Sequence, residues 1–199
     1  TPLYSSAASD VYKRQVQIVW SEIVKNLNSV NQTPIIFLDM DGVLADFFGA
    51  FSSYCGVSHW KELEHEELMQ KIDSIKGTDF FAKIPKTWCC DELIDFALNV
   101  SGGYSILSSP LDDDEDNCAH WKRVWIEQEL MIKPDEIFIQ RNKGELAQYR
   151  GKPNILIDDR PHNIEDWQNN GGNAIRFQAN EDPIEVVTNA VTEILKLAH

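Results

Sequence analysis

The chain has 199 residues, a length that suits one globular domain with a sizeable insertion. Its formal net charge of −14 argues against a protein that binds long DNA or RNA, since such surfaces need clustered lysine and arginine. The apolar runs are far shorter than the ~20 residues of a membrane span, so we expect no membrane partner. A small anionic ligand is compatible with this charge if local cations or a metal offset the general field.

Four cysteines bear on the cellular compartment. Cys55, Cys89, Cys90 and Cys118 form no C-x-x-C pair, and the adjacent Cys89 and Cys90 make a poor disulfide. The start of the chain also lacks the basic and apolar regions of a secretory signal. We therefore expect reduced thiols, no zinc site and a cytoplasmic protein.

The predicted elements begin after a tail. Residues 1–15 (TPLYSSAASDVYKRQ) show no clean periodicity, and we expect them to be non-native or disordered. Apolar residues then recur at helical spacing over 16–30. Short apolar runs typical of strands covered on both faces follow at 35–38, 104–107, 137–139, 154–157 and 174–177. Helical patterns occur at 91–100, 117–131, 162–169 and 183–197. This alternation predicts an α/β fold, with a Rossmann-like parallel sheet of about five strands flanked by helices.

A long segment interrupts this alternation after the first strand. About sixty residues separate the first two predicted strands, whereas a crossover needs only a dozen or so. The segment is charged and aromatic, with a helical stretch around 60–75. We therefore predict a small helical cap at 46–86, inserted into an α/β core formed by 16–45 and 87–199.

Polar side chains follow the predicted strands. Asp39 and Asp41 come directly after the first strand, Ser108 ends the second, Lys143 lies just past the third, and Asp158 ends the fourth. Ligands of open α/β sheets bind outside the carboxyl ends of the strands, so we expect these groups to converge on one edge.

These residue types fit the transfer of a phosphoryl group. Carboxylates that repel one another become compatible around a divalent cation, and Mg²⁺ prefers oxygen ligands such as Asp39 and Asp158. Asp39 is then the predicted nucleophile, and Asp41 is the predicted general acid and base. Lys143 and Ser108 are predicted to bind the phosphate.

Four segments in this order resemble the haloacid dehalogenase superfamily of phosphatases, and more closely its 5′(3′)-deoxyribonucleotidase family. The resemblance rests on D-M-D-G-V-L-A-D-F at 39–47, S-S-P at 108–110, R-N-K at 141–143 and I-D-D-R-P at 157–161. It extends over about 34–177, with only a loose match in the predicted cap. The family implies an Mg²⁺-dependent phosphomonoesterase that dephosphorylates deoxyribonucleoside 5′(3′)-monophosphates through an aspartyl-phosphate.

The resemblance also implies further site residues. The metal ligands would be Asp39, the Asp41 carbonyl and Asp158, and the substrate would be a small nucleotide. The residues predicted to contact that substrate are Ser108, Ser109, Lys143 and Arg141 around the phosphate, and Phe47, Phe80 and Phe81 around the nucleoside. A homodimer is left open. Two alternatives are kept: a phosphatase of the same type acting on another small phosphomonoester such as a sugar phosphate, and a catalytically silent binding protein on the same fold.

Some side chains allow two interpretations. The acidic run at 112–116 either points outward and begins the following helix, or points inward and disfavours multiply charged substrates. Phe47, Phe48 and Phe51 fit a core stripe as well as a pocket. Asp159 either contributes to the site or only orients its neighbours.

Overall fold

The computed structural model describes residues 33–197; the predicted tail at 1–15 and helix at 16–30 lie outside this range. All five strands predicted from the sequence are present, each within one residue of the predicted limits. The strands are β1 (Ile36–Leu38), β2 (Ser105–Ser108), β3 (Ile137–Ile139), β4 (Ile155–Asp158) and β5 (Asn173–Arg176).

The strands form one parallel sheet in the order β3-β2-β1-β4-β5. Strand β1 is central, with Leu38 paired to Ile106 of β2 on one side and to Ile157 of β4 on the other. Every residue of β1, β2 and β4 is buried, which explains their continuous apolar runs. The predicted fold class is confirmed.

Helices cover both faces of the sheet, and alternate residues of each strand serve the two faces. Leu38 and Ile157 belong to the larger core cluster, with side chains of the helices at Cys90–Ser101, Glu115–Glu129 and Glu185–Leu197. Phe37 and Leu156 belong to a smaller cluster that Trp167, in the helix Pro161–Asn169, completes. The α-helices among the described residues are α1 (Phe47–Cys55), α2 (His65–Ile75), α3 (Cys90–Ser101), α4 (Glu115–Glu129), α5 (Pro161–Asn169) and α6 (Glu185–Leu197).

The segment between β1 and α3 holds α1, α2 and two 3₁₀ turns, Trp60–Glu62 and Phe80–Lys83. The helical stretch predicted around 60–75 was too long, since a regular α-helix begins only at His65. Leu63 and Glu64 have extended backbone angles and separate the first 3₁₀ turn from α2.

The two ends of this segment are joined to each other. The Asp46 N–H donates to the Pro85 carbonyl at 2.8 Å, and the Thr87 N–H donates to the Leu44 carbonyl at 2.8 Å. The limits 46–86 of a separate cap stay a prediction. Within residues 33–197, no helix is long and apolar enough to cross a membrane, and the four cysteines are free thiols.

Candidate active site

A tight turn follows β1 and separates the two aspartates of D-M-D-G. The Asp39 N–H continues the sheet ladder by donating to the Ile157 carbonyl at 2.9 Å. The Met40 carbonyl then accepts from the N–H groups of Leu44 and Ala45, and the backbone turns through a positive φ of 78° at Gly42. The carboxylates consequently point to different partners, although they are two residues apart.

Lys143 joins the first strand to the fourth. Its ammonium lies 2.9 Å from Asp39 Oδ1 and 2.6 Å from Asp158 Oδ2, and the lysine is 1% exposed. Burial alone would lower the pKa of Lys143, but the two carboxylates raise it above its usual value. The lysine is therefore a fixed positive charge at the carboxyl edge of the sheet, and its role as a phosphate ligand stays a prediction.

The same lysine acts on the pKa of Asp39. Burial opposes ionisation of Asp39, but Lys143 and Lys122 attract the carboxylate, and the Met40 N–H donates to Oδ1 at 2.8 Å. The pKa of Asp39 is held below its usual value. Asp39 is thus an ionised carboxylate at neutral pH, which is the form a nucleophile needs.

Asp158 is surrounded by donors. Besides Lys143, the Asn163 amide of α5 donates to both carboxylate oxygens at 2.9 and 3.0 Å, and the Arg160 N–H donates to Oδ1 at 2.9 Å. Burial and the charge of Asp39 nevertheless raise the pKa of Asp158. These donors fix the orientation of the Asp158 carboxylate. Its role as a metal ligand stays a prediction.

Asp159 has no hydrogen-bond donor among the described residues, although it is only 8% exposed. Burial, followed by the charges of Asp39 and Asp158, raises its pKa to about 8. Ligand oxygens of these three aspartates lie within 4.8 Å of one another. Such a cluster of hard oxygen ligands fits a divalent cation, and Mg²⁺ suits it chemically. Asp159 was absent from the predicted metal ligands, and its unpartnered carboxylate makes it a better candidate than the sequence indicated.

Lys122 of α4 is a site residue that the sequence reading missed. Its ammonium donates to Asp41 Oδ2 at 2.7 Å, to Ser108 Oγ at 2.8 Å and to the Ser109 carbonyl at 2.7 Å. A signal was present, because Lys122 shares a helix face with Cys118 and the apolar residues at 125 and 126. A charged residue on a buried face indicates an unrecognised anionic partner.

The predicted phosphate residues are only partly brought together. Ser108 is buried beside Lys122. Ser109 and Arg141 instead line a polar cavity of about 580 Å³, where Arg141 forms ion pairs with Asp112 and Glu115. Four of the five residues of the acidic run are exposed, and Glu115 and Asp116 lie in the first turn of α4, although Asp112 also lines this cavity. The guanidinium of Arg141 is therefore already paired with the carboxylates of Asp112 and Glu115.

A second cavity, of about 350 Å³, opens beside Asp41. We call it the aromatic cavity. Its apolar wall is formed by Phe47, Phe48, Phe51 and Trp60, and the Phe48 and Trp60 rings are stacked with centroids 5.6 Å apart. Asp159 also contributes to its lining, and the other residues around it are Leu68, Ile72, Arg160, Pro161, Arg176 and Gln178.

Two of the three predicted phenylalanines lie elsewhere. Phe81 is 2% exposed and packs over the Lys122 ammonium, 5.1 Å from the ring centroid. Phe80 lines a separate depression of about 730 Å³. Phe47 is therefore the one residue of this trio that lines the aromatic cavity.

Two side-chain polar atoms among the described residues are inaccessible to solvent and have no hydrogen-bond partner, and both belong to residues of the aromatic cavity. They are Asp41 Oδ1, an acceptor, and Trp60 Nε1, a donor. Unsatisfied buried polar atoms are costly and are concentrated at functional sites. The cavity thus has an aromatic wall, and two of the residues that line it each carry a buried polar atom without a hydrogen-bond partner.

No protein-family model and no curated protein sequence matches the chain. Similar solved structures include a hydrolase from Streptococcus pneumoniae TIGR4, 14% identical, with a TM-score of 0.49 and coverage of 78% of this chain and 98% of that chain. A HAD family hydrolase from Deinococcus radiodurans R1, with bound phosphate and sodium, is 15% identical, with a TM-score of 0.48 and coverage of 84% and 97%. A phospho-aspartyl intermediate analogue of phosphoserine phosphatase is 17% identical, with a TM-score of 0.44 and coverage of 83% and 99%. At these identities and TM-scores, the similarity carries no information about activity or substrate.

Proposed function

We propose that this chain is an Mg²⁺-dependent phosphomonoesterase of the haloacid dehalogenase type. The observation that carries the proposal is the pairing of Asp39 and Asp158 through one buried ammonium, that of Lys143. Asp41 lies on the same turn as Asp39 and keeps one carboxylate oxygen free beside a cavity. A fixed cation, an ionised nucleophile and a separate proton donor are what phosphoryl transfer requires.

In the proposed reaction, a carboxylate oxygen of Asp39 attacks the phosphorus atom of the substrate. The bond between phosphorus and the leaving oxygen breaks, its electron pair goes to that oxygen, and Asp41 donates a proton there. Asp41 then accepts a proton from the water that attacks the aspartyl-phosphate. This second step releases inorganic phosphate and restores the Asp39 carboxylate.

Two groups would offset the negative charge of the phosphoryl group. Lys143 is buried and charged, and therefore acts in a medium of low dielectric constant. Asp39 and Asp159 would hold Mg²⁺, with Asp158 and the Asp41 carbonyl as the other predicted ligands. When bound, the ion supplies positive charge beside the phosphate.

We propose deoxyribonucleoside 5′(3′)-monophosphates as the substrates. The aromatic cavity supports this choice because a nucleobase is flat and stacks on aromatic rings, a contact worth about 1–3 kcal/mol per base. Its volume of about 350 Å³ falls within the range of small-molecule sites. The cavity also includes Asp41, so a nucleotide in it would place its ester oxygen near the proton donor.

The test is phosphate release by the purified chain from nucleotides, sugar phosphates and a phosphorylated oligonucleotide. We expect activity with Mg²⁺ that EDTA removes, and a loss of at least about a thousandfold in Asp39→Asn. Asp95→Asn, on the exposed side of α3, removes the same charge outside the site and is the matched control.

The outcomes separate the alternatives. If sugar phosphates are hydrolysed at least tenfold faster than nucleotides, the difference is about 1.4 kcal/mol in transition-state preference. The proposed nucleotide substrates would then be wrong, whereas the proposed phosphatase reaction would stand. Absence of release from every substrate, with ligand binding retained in Asp39→Asn, would show that the chain is a binding protein and overturn the proposal.

A further inference from the structure

The buried lysine of α4 has no role in the reaction described so far. Lys122 is 1% exposed, and each of the three N–H bonds of its ammonium has an acceptor: Asp41 Oδ2, Ser108 Oγ and the Ser109 carbonyl. The ring of Phe81 covers the remaining side. A buried ammonium with complete hydrogen bonding has one orientation, so its acceptors are fixed relative to one another.

The helix that carries this lysine is itself anchored nearby. Trp125, on the same face and one turn further along α4, donates from Nε1 to the Ile84 carbonyl at 2.6 Å. Asn117 reaches the Thr78 carbonyl from the first turn of α4 at 3.1 Å. Lys122 therefore lies between two contacts that join α4 to the segment inserted after β1, and its position is set from both sides.

The two oxygens of Asp41 are thereby made unequal. Oδ2 accepts from Lys122 at 2.7 Å, whereas Oδ1 is buried and has no partner. A partial rotation of the carboxylate would break the contact with a charged donor, and such contacts contribute about 1.5–3 kcal/mol, whereas a half-turn restores the same arrangement with the two equivalent oxygens exchanged. The arrangement leaves one carboxylate oxygen of Asp41, here Oδ1, without a partner in the protein, on a residue that lines the aromatic cavity.

We infer that Lys122 is a positioning residue for Asp41, which holds Oδ2 so that Oδ1 is the oxygen that exchanges protons with the substrate. This inference rests on the proposed function. Oδ1–H gives its proton to the leaving oxygen as the ester bond to phosphorus breaks, and Oδ1 later takes a proton from the attacking water. Lys122 keeps its own protons throughout. Through Ser108 it also fixes the distance between the proton donor and the predicted phosphate-binding hydroxyl.

The test is the Lys122→Met variant, which keeps a long side chain and removes the ammonium. The first step is followed in single turnovers with two substrates, a deoxynucleoside monophosphate and p-nitrophenyl phosphate. The alkoxide leaving group of the nucleotide needs a proton, whereas p-nitrophenolate leaves without one. We expect the nucleotide rate to fall about a hundredfold, the p-nitrophenol burst to fall less than tenfold, and KM to change less than threefold.

Arg123→Met is the matched control, since it removes the next positive charge of α4 at an exposed position. We expect it to leave both rates unchanged. Thermal unfolding shows whether Lys122→Met is folded. If it is not, the comparison is made in Lys122→Arg, whose planar guanidinium cannot reproduce the three contacts of an ammonium. The same selective loss is expected there.

The results distinguish this inference from the proposed function. An active wild-type protein with an equal loss on both substrates in Lys122→Met, or with no loss, overturns the positioning role and leaves the phosphatase proposal intact. An inactive wild-type protein overturns both.

Discussion

Gly42 lies against Asp159, so that the turn after β1 and the end of β4 meet in space. A Cβ atom built on Gly42 would lie 3.3 Å from Asp159 Cγ and 2.7 Å from Cε2 of Phe48. The glycine also has a φ of 78°, which L-residues with side chains rarely adopt. Two independent constraints therefore select glycine in D-M-D-G, and one of them comes from the proposed metal ligand.

A comparison of Gly42→Ala with Gly102→Ala separates the backbone constraint from the steric one. Gly102 has almost the same φ, 77°, but a Cβ there would meet no atom within 4 Å. Each of these two substitutions should lower the free energy of unfolding by about 1–2 kcal/mol, because alanine is disfavoured in the left-handed backbone conformation. Gly42→Ala should cost a further 1–3 kcal/mol, approximately, because Phe48 and Asp159 must move. Urea unfolding of the two variants measures the difference, and equal destabilisation would contradict the close approach of Gly42 to Phe48 and Asp159.

The protonation of Asp159 predicts a link between pH, metal and stability. Its pKa is about 8 in the folded chain, against the usual 3.8 of an exposed aspartate, so between these pH values the folded chain retains a proton that the unfolded chain has lost. Stability from this group is complete below pH 3.8 and is lost as pH rises towards 8. Because a cation binds the ionised carboxylate, we expect Mg²⁺ to raise Tm more at about pH 8 than at about pH 5.

The measurement is thermal unfolding at both pH values, with MgCl₂ or with EDTA. Asp159→Asn should unfold at a Tm that depends less on pH in EDTA, and its Tm should gain little from Mg²⁺. Asp95→Asn, which is exposed, should behave like the wild-type chain. A Mg²⁺ effect that is equally large in Asp159→Asn would exclude Asp159 as a ligand.

Asn163 is expected to be important for stability because it donates to both oxygens of buried Asp158. Asn163→Ala leaves that carboxylate with fewer donors, at a cost of about 1.5–3 kcal/mol. Asn163→Asp should be worse, since it places a second carboxylate within hydrogen-bonding distance. His162→Ala, at the exposed neighbouring position, should change the free energy of unfolding by less than about 0.5 kcal/mol. Denaturant unfolding should give this order, and a neutral Asn163→Ala would contradict it.

The sheet could be predicted from sequence because its strands are buried on both faces, which leaves unbroken apolar runs between polar loops. The carboxyl edge was predictable for the same reason, since Asp39, Ser108 and Asp158 each end such a run. The hydrogen-bond and ion-pair partners of these groups could not be predicted from the sequence. Lys122 and Asn163 come from helices, and their contacts depend on how α4 and α5 pack on the sheet, which no local pattern encodes.

The choice between Asp158 and Asp159 shows the same limit. Asp158 is the last residue of β4 and Asp159 follows it, so the alternation of the strand does not set the direction of the Asp159 side chain. Asp158 meets Lys143 and Asn163, whereas Asp159 faces Gly42 and the aromatic cavity. The sequence places both at the correct edge, and only the packed neighbours distinguish the partnered carboxylate from the free one.

The aromatic cavity predicts where selectivity for the nucleobase originates. Trp60→Leu removes a stacking surface and an unpartnered N–H donor. We expect KM for deoxynucleoside monophosphates to rise about tenfold, within the energy of one stacked base, and kcat/KM for glycerol phosphate to change less than twofold. Steady-state kinetics with both substrates checks this selectivity.

Phe80→Leu is the matched control, because Phe80 lies in the same inserted segment but lines a different depression. It should leave KM for nucleotides within about twofold, since its ring is outside the aromatic cavity and contributes no stacking there. A rise in KM with Phe80→Leu and none with Trp60→Leu would move the nucleobase to the depression beside Phe80. The prediction made from the family resemblance for Phe80 would then be right, and the placement favoured by the two unpartnered polar atoms would be wrong.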